Sequence, residues 1–222
     1  MDVVLAPELR GKLQLGWIES EGHRVTPSPE GLIGEAARLG EELRELLGGR
    51  TPAEIPGVVE ARLLWRAIGI DPTKNRPSSE KLLRRLLKGE SLPRINSLVD
   101  AANLASARFL LPVGLYDAAR FLGLQVQVRL GRPGESYPGI GAGPINVEGK
   151  ICLADDAGPF GNPTADSART KVTEATTRSA FALFAPASFE EGRVRKVLEG
   201  MGEELLRWSG GSVKELRVVS GG

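Results

Sequence analysis

The spacing of apolar residues divides this chain in two, and that division constrains the fold more than any motif. From residue 28 to 109 the apolar positions recur at three- and four-residue steps, the period of a helix with one buried face. From residue 124 onward they mostly alternate or run together, with a single helical stretch near the end. Helices first and strands later favour an α+β layout, with mixed sheet layers and flanking helices, over a regular βαβ repeat. At 222 residues the chain falls within the usual size of one domain. The expected organisation is a single domain over 1–222. Residues 1–50 form an N-terminal hairpin and helix, 51–187 a core, and 188–222 a C-terminal helix and strand.

Ser28-Pro29 opens the first helix, with the stripe Leu32, Ala36, Leu39, Leu43 and Leu46, and Gly48-Gly49 stops it. Val58, Ala61, Leu64, Trp65 and Ile68 form a second stripe. Ser78 caps a third helix, and a fourth runs from Asn96 to Phe109. Strands are predicted at Leu124–Leu130, Lys150–Ala154, Ser179–Ala185 and Val213–Val219, with a helix over Phe189–Trp208. Leu13 to Val25 alternates loosely around Gly22-His23 and predicts a hairpin or two strand pieces. Gly131 to Gly149 predicts a turn-rich hairpin; its glycines match neither G-x-G-x-x-G nor a P-loop. Asp155 to Glu174 predicts a polar loop of unusual length.

Scarcity excludes several chemistries. Cys152 is the one cysteine, so no internal disulfide forms, and a reducing compartment is expected. His23 is the one histidine, so a Cys/His zinc site lacks its ligands. A Ser-His-Asp triad would have to use His23, which the sequence places in an exposed tight turn. Cys152, between Ile151 and Leu153, reads as a buried strand residue. Trp65, Phe181 and Phe184 read as core rather than base-stacking platforms. No metal and no cofactor are expected. Met1 to Pro7 is too short and acidic for a signal peptide, and no apolar run approaches the ~20 residues of a membrane helix. The expectation is a cytoplasmic protein with no membrane partner.

Charge is unevenly spread. The chain carries +1 in all, but Lys74, Arg76, Lys81, Arg84, Arg85, Lys88 and Arg94 face only Glu80 and Glu90 in their segment. That segment carries +5 against −4 elsewhere, a pattern of phosphate-binding surfaces as well as of solvated helix faces.

Two constellations could carry chemistry. Asn96, Asp100 and Asn103, at i, i+4 and i+7, share one face of the fourth helix. Asn and Asp are poor helix formers, so three in line suggest a pocket-facing task, although Asn96 also suits an N-cap. The segment Asp155 to Glu174 offers Thr164, Asp166, Ser167, Arg169, Thr170 and Glu174 to a polar ligand. Gly158-Pro159-Phe160-Gly161 can expose backbone N–H groups as an oxyanion hole requires.

The run Arg94-Ile-Asn-Ser-Leu-Val-Asp-Ala-Ala-Asn103 resembles the segment that opens the editing domain of the phenylalanyl-tRNA synthetase beta subunit. Pro112, Tyr116 and Asp117 match that family's Pro, aromatic and Asp spacing, and Arg129 with Gly134-Glu135 matches a strand ending in Arg followed by Gly-Glu. Stand-alone versions of the domain are more similar still. They carry Asp-Pro-Thr-Lys (Asp71 to Lys74), Arg-Pro-Ser-Ser-Glu (Arg76 to Glu80) and the motifs from Ala154 through Glu174. The resemblance covers roughly 51–187, which would make that region an editing-domain-like core.

What the resemblance implies is a mixed α/β fold that hydrolyses tyrosine wrongly esterified to the phenylalanine tRNA. A hydrophobic pocket rejects an added hydroxyl poorly, so a second site must find and cleave the wrong ester. Asn103 and Pro112 would line the pocket with Asn96, Thr164, Asp166, Ser167, Arg169 and Thr170. The family's histidine, two residues after the proline, is Gly114 here, which neither binds adenosine through a side chain nor moves a proton. Activation of water would then fall to Asp100, Glu174 or the substrate's vicinal hydroxyl. The basic segment would hold the phosphates of the aminoacylated tRNA partner. The alternative is a non-catalytic module for tRNA or an amino acid, and a third reading is hydrolysis of a small amino-acid ester.

Overall fold

The computed structural model describes residues 1–141 and 143–220. In chain order the elements are β1 (Asp2–Leu5), β2 (Leu13–Glu21), α1 (Glu30–Leu47), α2 (Pro56–Ala67), α3 (Ser78–Leu87), α4 (Ser97–Phe109) and β3 (Val113–Asp117). There follow β4 (Gln125–Leu130), β5 (Ser136–Pro138), β6 (Pro144–Asn146), β7 (Ile151–Asp155), β8 (Gly158–Asn162), β9 (Ala165–Asp166), β10 (Arg178–Pro186), α5 (Glu191–Ser209) and β11 (Ser212–Val219). The fold is α+β. One sheet has the order β1-β4-β7-β8-β9, the other β11-β2-β10-β3, and β5-β6 make a separate hairpin. Residue 142 of that hairpin lies outside the described residues.

Alternation builds the layers. Leu15 and Trp17 of β2 and Ala180, Ala182 and Phe184 of β10 pack with Val126, Val128, Leu153 and Phe160 of the five-stranded sheet. The intervening residues, Ile18, Phe181 and Leu183, pack on the opposite face with Leu98, Ala101 and Ala105 of α4 and Leu198 and Met201 of α5. β10 is therefore buried on both faces, as its continuous apolar run predicts. A third cluster joins α1, α2, α3 and α4 through Leu39, Leu43, Val58, Leu83, Leu86 and Leu104. The order is sheet, sheet, helices, helices. Each fully buried Leu or Phe contributes about 1.5–3 kcal/mol to it.

α4 starts and stops on specific chemistry. Asn96 caps it, its Oδ1 accepting the Val99 amide at 2.9 Å. Leu110 ends it at φ 56°, a left-handed conformation usually left to glycine. That tight exit sends the chain through Pro112 into β3, the outermost strand of its sheet.

Four expectations are corrected. Leu13 to Val25 is one nine-residue strand followed by a turn inward, not a hairpin. His23 is buried, not exposed. Its Nε2 meets Ser20 Oγ at 2.7 Å and Ser179 Oγ at 2.9 Å, and its Nδ1 meets Ser209 Oγ at 2.9 Å. Burial lowers its pKa, so the ring is a neutral tie between β2, β10 and the end of α5. The segment 155–174 is not simply a loop, because β8 and β9 lie within it. β1 and β3, where the sequence pattern predicts no strand, complete the two sheets. Cys152 sits inside β7 as expected, and burial pushes its thiol up to about 11.

Candidate functional site

The polar face of α4 is largely spent on holding its own start. Asp100 is buried and accepts the Ile95 amide, at 3.0 Å to one oxygen and 3.3 Å to the other, and the Ser28 hydroxyl. Burial raises its pKa; the hydrogen bonds and Arg94 pull the other way and lose. The helix propensity given up at Asn96 and Asp100 returns as caps on otherwise orphaned amides. Asp100 also edges a cavity of about 290 Å³ between α1 and the α3–α4 connection, floored by Leu32, Ala36, Leu86 and Leu92. Asn103 is half-buried.

The 155–174 segment likewise ties itself down. Arg169 makes two 2.9 Å bonds to the Asp155 carboxylate and a third to the Arg120 carbonyl. Thr164 donates its amide and hydroxyl to Asn162 Oδ1, both at 2.7 Å. Ser167 and Thr170 share a 3.0 Å hydroxyl contact. The segment then runs along β3. Asp117 N donates to the Thr170 carbonyl at 2.8 Å, and Thr176 donates to Asp117 Oδ2 at 2.9 Å. Residues 158–162 form a strand paired with β7 on one side and β9 on the other rather than an open loop. The cavity at Asp100 is lined by no residue of 155–174, and the one at Asp155 and Gly158 by none of α4. Glu174 is exposed.

What the structure does bring together is a seam between β3 and the β8–β9 pair. Gly114 and Tyr116 alternate onto the face of β3 that meets the other sheet. Gly161 and Asp166 are direct cross-strand partners, so they address one face. A Cβ built at Gly114 would run into the Tyr116 hydroxyl, and one at Gly161 would lie 2.5 Å from it. The two glycines thus make room for one phenol, which occupies the space a side chain at 114 would need. Tyr116 is fully buried and its hydroxyl has no aligned hydrogen-bond partner, yet Asp166 lies close enough to perturb it. Burial pushes the Asp166 carboxyl up to about 7, against a smaller opposing pull from Tyr116. Burial, then the Asp166 charge, keeps Tyr116 protonated. Neighbouring Tyr137 donates to the Ala165 carbonyl at 2.6 Å. Of this group the sequence points to Asp166 and Gly114 as site residues, and to Tyr116 only as a matching aromatic. The available signal was its two-residue spacing from Gly114, which puts both on one strand face.

The basic segment splits in two. Glu80, fully buried, takes Arg62 at 2.7 and 2.8 Å, Arg84 at 2.8 Å and Arg76 at 3.8 Å. Arg85 and Lys88 reach Glu90 at 3.4 and 4.0 Å. Lys74, Lys81, Arg85, Lys88 and Arg94 are exposed.

Two packed sheets flanked by helices, with the seam at the outermost strand, place this molecule in an α+β class shared with a tRNA synthetase fragment. Its structure is similar to an N-terminal fragment of the phenylalanyl-tRNA synthetase beta subunit from Pyrococcus horikoshii. The TM-score is 0.50 at 13% identity, over 96% of this chain and 50% of that one. The chain therefore spans about half the length of that fragment, and at this identity the likeness speaks to fold alone. The family profile of the B3/4 domain matches residues 60–199, and the chain belongs to that family. No curated protein matches the sequence significantly. Among the described residues no helix is long and apolar enough to cross a membrane.

Proposed function

We propose that this B3/4 domain hydrolyses the ester of a mischarged aminoacyl-tRNA in trans, with Asp166 rather than Asp100 or Glu174 activating water. Membership of the family supports the tRNA substrate, given the motifs from Arg94 to Asp117. The observation that carries the chemistry is the seam itself: Asp166 pairs across from Gly161 beside the buried, unpartnered Tyr116 hydroxyl, and burial pushes its carboxyl up to about 7. A general base works best with a pKa near the working pH. In the proposed step the Asp166 carboxylate takes a proton from water as its oxygen attacks the ester carbonyl. The bond from the acyl carbon to the ribose oxygen then breaks, and that oxygen leaves with a proton returned by Asp166. The products are free amino acid and tRNA. Tyr116, held protonated, positions the carboxylate. Asn103 and Pro112 remain the proposed pocket residues, and Lys74 to Arg94 the proposed tRNA contacts.

Release of amino acid from a panel of mischarged tRNAs by the purified protein tests this. The expected result is release above background that falls ~10²-fold or more in Asp166→Asn, the scale of general-base catalysis. Equal rates in the two proteins would remove Asp166 from the mechanism.

One observation favours a second reading, a non-catalytic tRNA-binding module. Gly114, Tyr116 and Gly161 are all buried, so the phenol fills the seam rather than opening it. No release from any mischarged tRNA, with tRNA binding intact, would decide for that reading.

A further inference from the structure

The ends of α1 and α3 enclose a concavity of about 400 Å³, and four cationic side chains line it: Arg44, Arg50, Arg84 and Lys88. No carboxylate lines it. Its other walls are Leu47, Leu87, Pro52 and the Gly48-Gly49 turn, where Gly49 adopts φ 79° and turns the chain back along the opening. Both helices point their C-termini here, and the partial negative charge of those carbonyls would repel an anion. The cations reverse that sign.

Structural duties leave most of the donors free. Arg44 gives one nitrogen to the Leu86 carbonyl at 2.7 Å, and Arg84 gives Nε to Glu80 at 2.8 Å. A guanidinium has five N–H donors, so each retains others. Lys88 lies 4.0 Å from an exposed Glu90, a contact worth little in water. Arg50 is exposed and has no ion pair among the described residues. Arg44 is held against α3 while Arg50 stands free, a fixed donor beside an adaptable one. The apolar walls and the volume suit a group larger than a lone phosphate, such as a phosphate with its attached sugar.

We infer that this concavity is a phosphodiester-binding seat for RNA, built half from the family core and half from the preceding helix. Arg84 and Lys88 belong to the matched span 60–199, whereas Arg44 and Arg50 precede it. The inference rests on the RNA partner of the proposed function, but not on catalysis. It selects Arg84 and Lys88 among the cations of the basic segment, since those two line the concavity.

Fluorescence anisotropy of a labelled, uncharged tRNA transcript, read from about 50 to 200 mM salt, tests it. The Arg50→Glu/Lys88→Glu protein should bind at least 10-fold more weakly than wild type near 100 mM salt. Its slope of log affinity against log salt should fall by about 2, one per lost phosphate contact. Both residues are exposed, so unchanged circular dichroism melts are expected. Arg195→Glu/Lys196→Glu, exposed on α5, is the control for diffuse charge and should stay within about 2-fold of wild type. Equal losses in the two double variants, or no loss in either, would overturn the seat while leaving the proposed hydrolysis standing. Seat-dependent binding without deacylation would support the seat and remove the hydrolysis. Wild type that binds no tRNA even at about 50 mM salt would overturn the seat as an RNA site.

Discussion

Two carboxylates of this molecule, fully buried Glu80 and half-buried Asp166, are treated in opposite ways. Glu80 on α3 is fully buried and held by Arg62 and Arg84, with Arg76 further off. Burial alone would push its pKa up, but the hydrogen bonds and charges of the two closer arginines outweigh that and keep it below the usual value. Asp166 on β9 has no arginine. It has a neutral phenol, and burial takes it up to about 7. The first carboxylate is held in its charged form and joins α2 to α3. The second, in the seam between β3 and the β8–β9 pair, is pushed up to about 7 by burial. A perturbed group without a partner cation is the better candidate for chemistry, and a saturated one for architecture.

The comparison breaks most visibly at Glu80. Glu80→Ala leaves Arg62 and Arg84 unpaired, and removing one partner of a buried ion pair costs about 3–5 kcal/mol. For a chain of this size that is a fall of roughly 6–20 °C in Tm, measured by circular dichroism. A shift under about 2 °C would mean the clamp is not structural.

Asp166→Asn should do the reverse, with stability at pH 7 unchanged or higher. The sign follows from linkage. The folded state holds this proton more tightly than the unfolded chain, so the contribution of this group to stability is fully present at low pH and is lost between about pH 4 and 7. In the variant that loss should disappear from urea melts taken across the interval. Glu80 has the opposite sign, its contribution being lost only as pH drops below the carboxylate range.

Gly114→His puts a side chain into the seam and should destabilise by about 1–3 kcal/mol, because the Tyr116 phenol already fills the space. Adding Tyr116→Phe removes the hydroxyl and should recover part of that loss. A double-mutant cycle would read a coupling of at least about 0.5 kcal/mol; strict additivity would place the two side chains apart. The smallest effect is expected at Arg85, whose contact with Glu90 is exposed on both sides. Arg85→Ala should change stability by less than about 0.5 kcal/mol in the same melts.

How much of this was legible depended on period and length. The five helices announce themselves through their stripes, and β10 through an apolar run too long for a turn. Asn96 is visible as a cap because an Asn immediately before a periodic run has one common use. β1 and β9 are too short for alternation to register, at four and two residues. β3 and β8 carry glycines where an apolar residue would mark the inner face, and those glycines serve Tyr116. His23 misled because a turn sequence says nothing about three serines arriving from β2, β10 and α5. At the site, Asp166 could be read from the polar segment, but its meaning could not. Its pKa depends on what it faces across two sheets, and no local pattern records that. Of Asn96, Asp100 and Asn103, the first caps its own helix and the second holds the Ile95 amide just before it.

The state of the two carboxylates can be read together by carbon-detected NMR titration of the Asp and Glu side chains. The account predicts an Asp166 midpoint near 7, with the Glu80 midpoint below that of an ordinary glutamate in the same sample. An Asp166 midpoint in the ordinary range near 4 would contradict it, since the seam would then hold a plain solvated carboxylate with no reason to act at neutral pH.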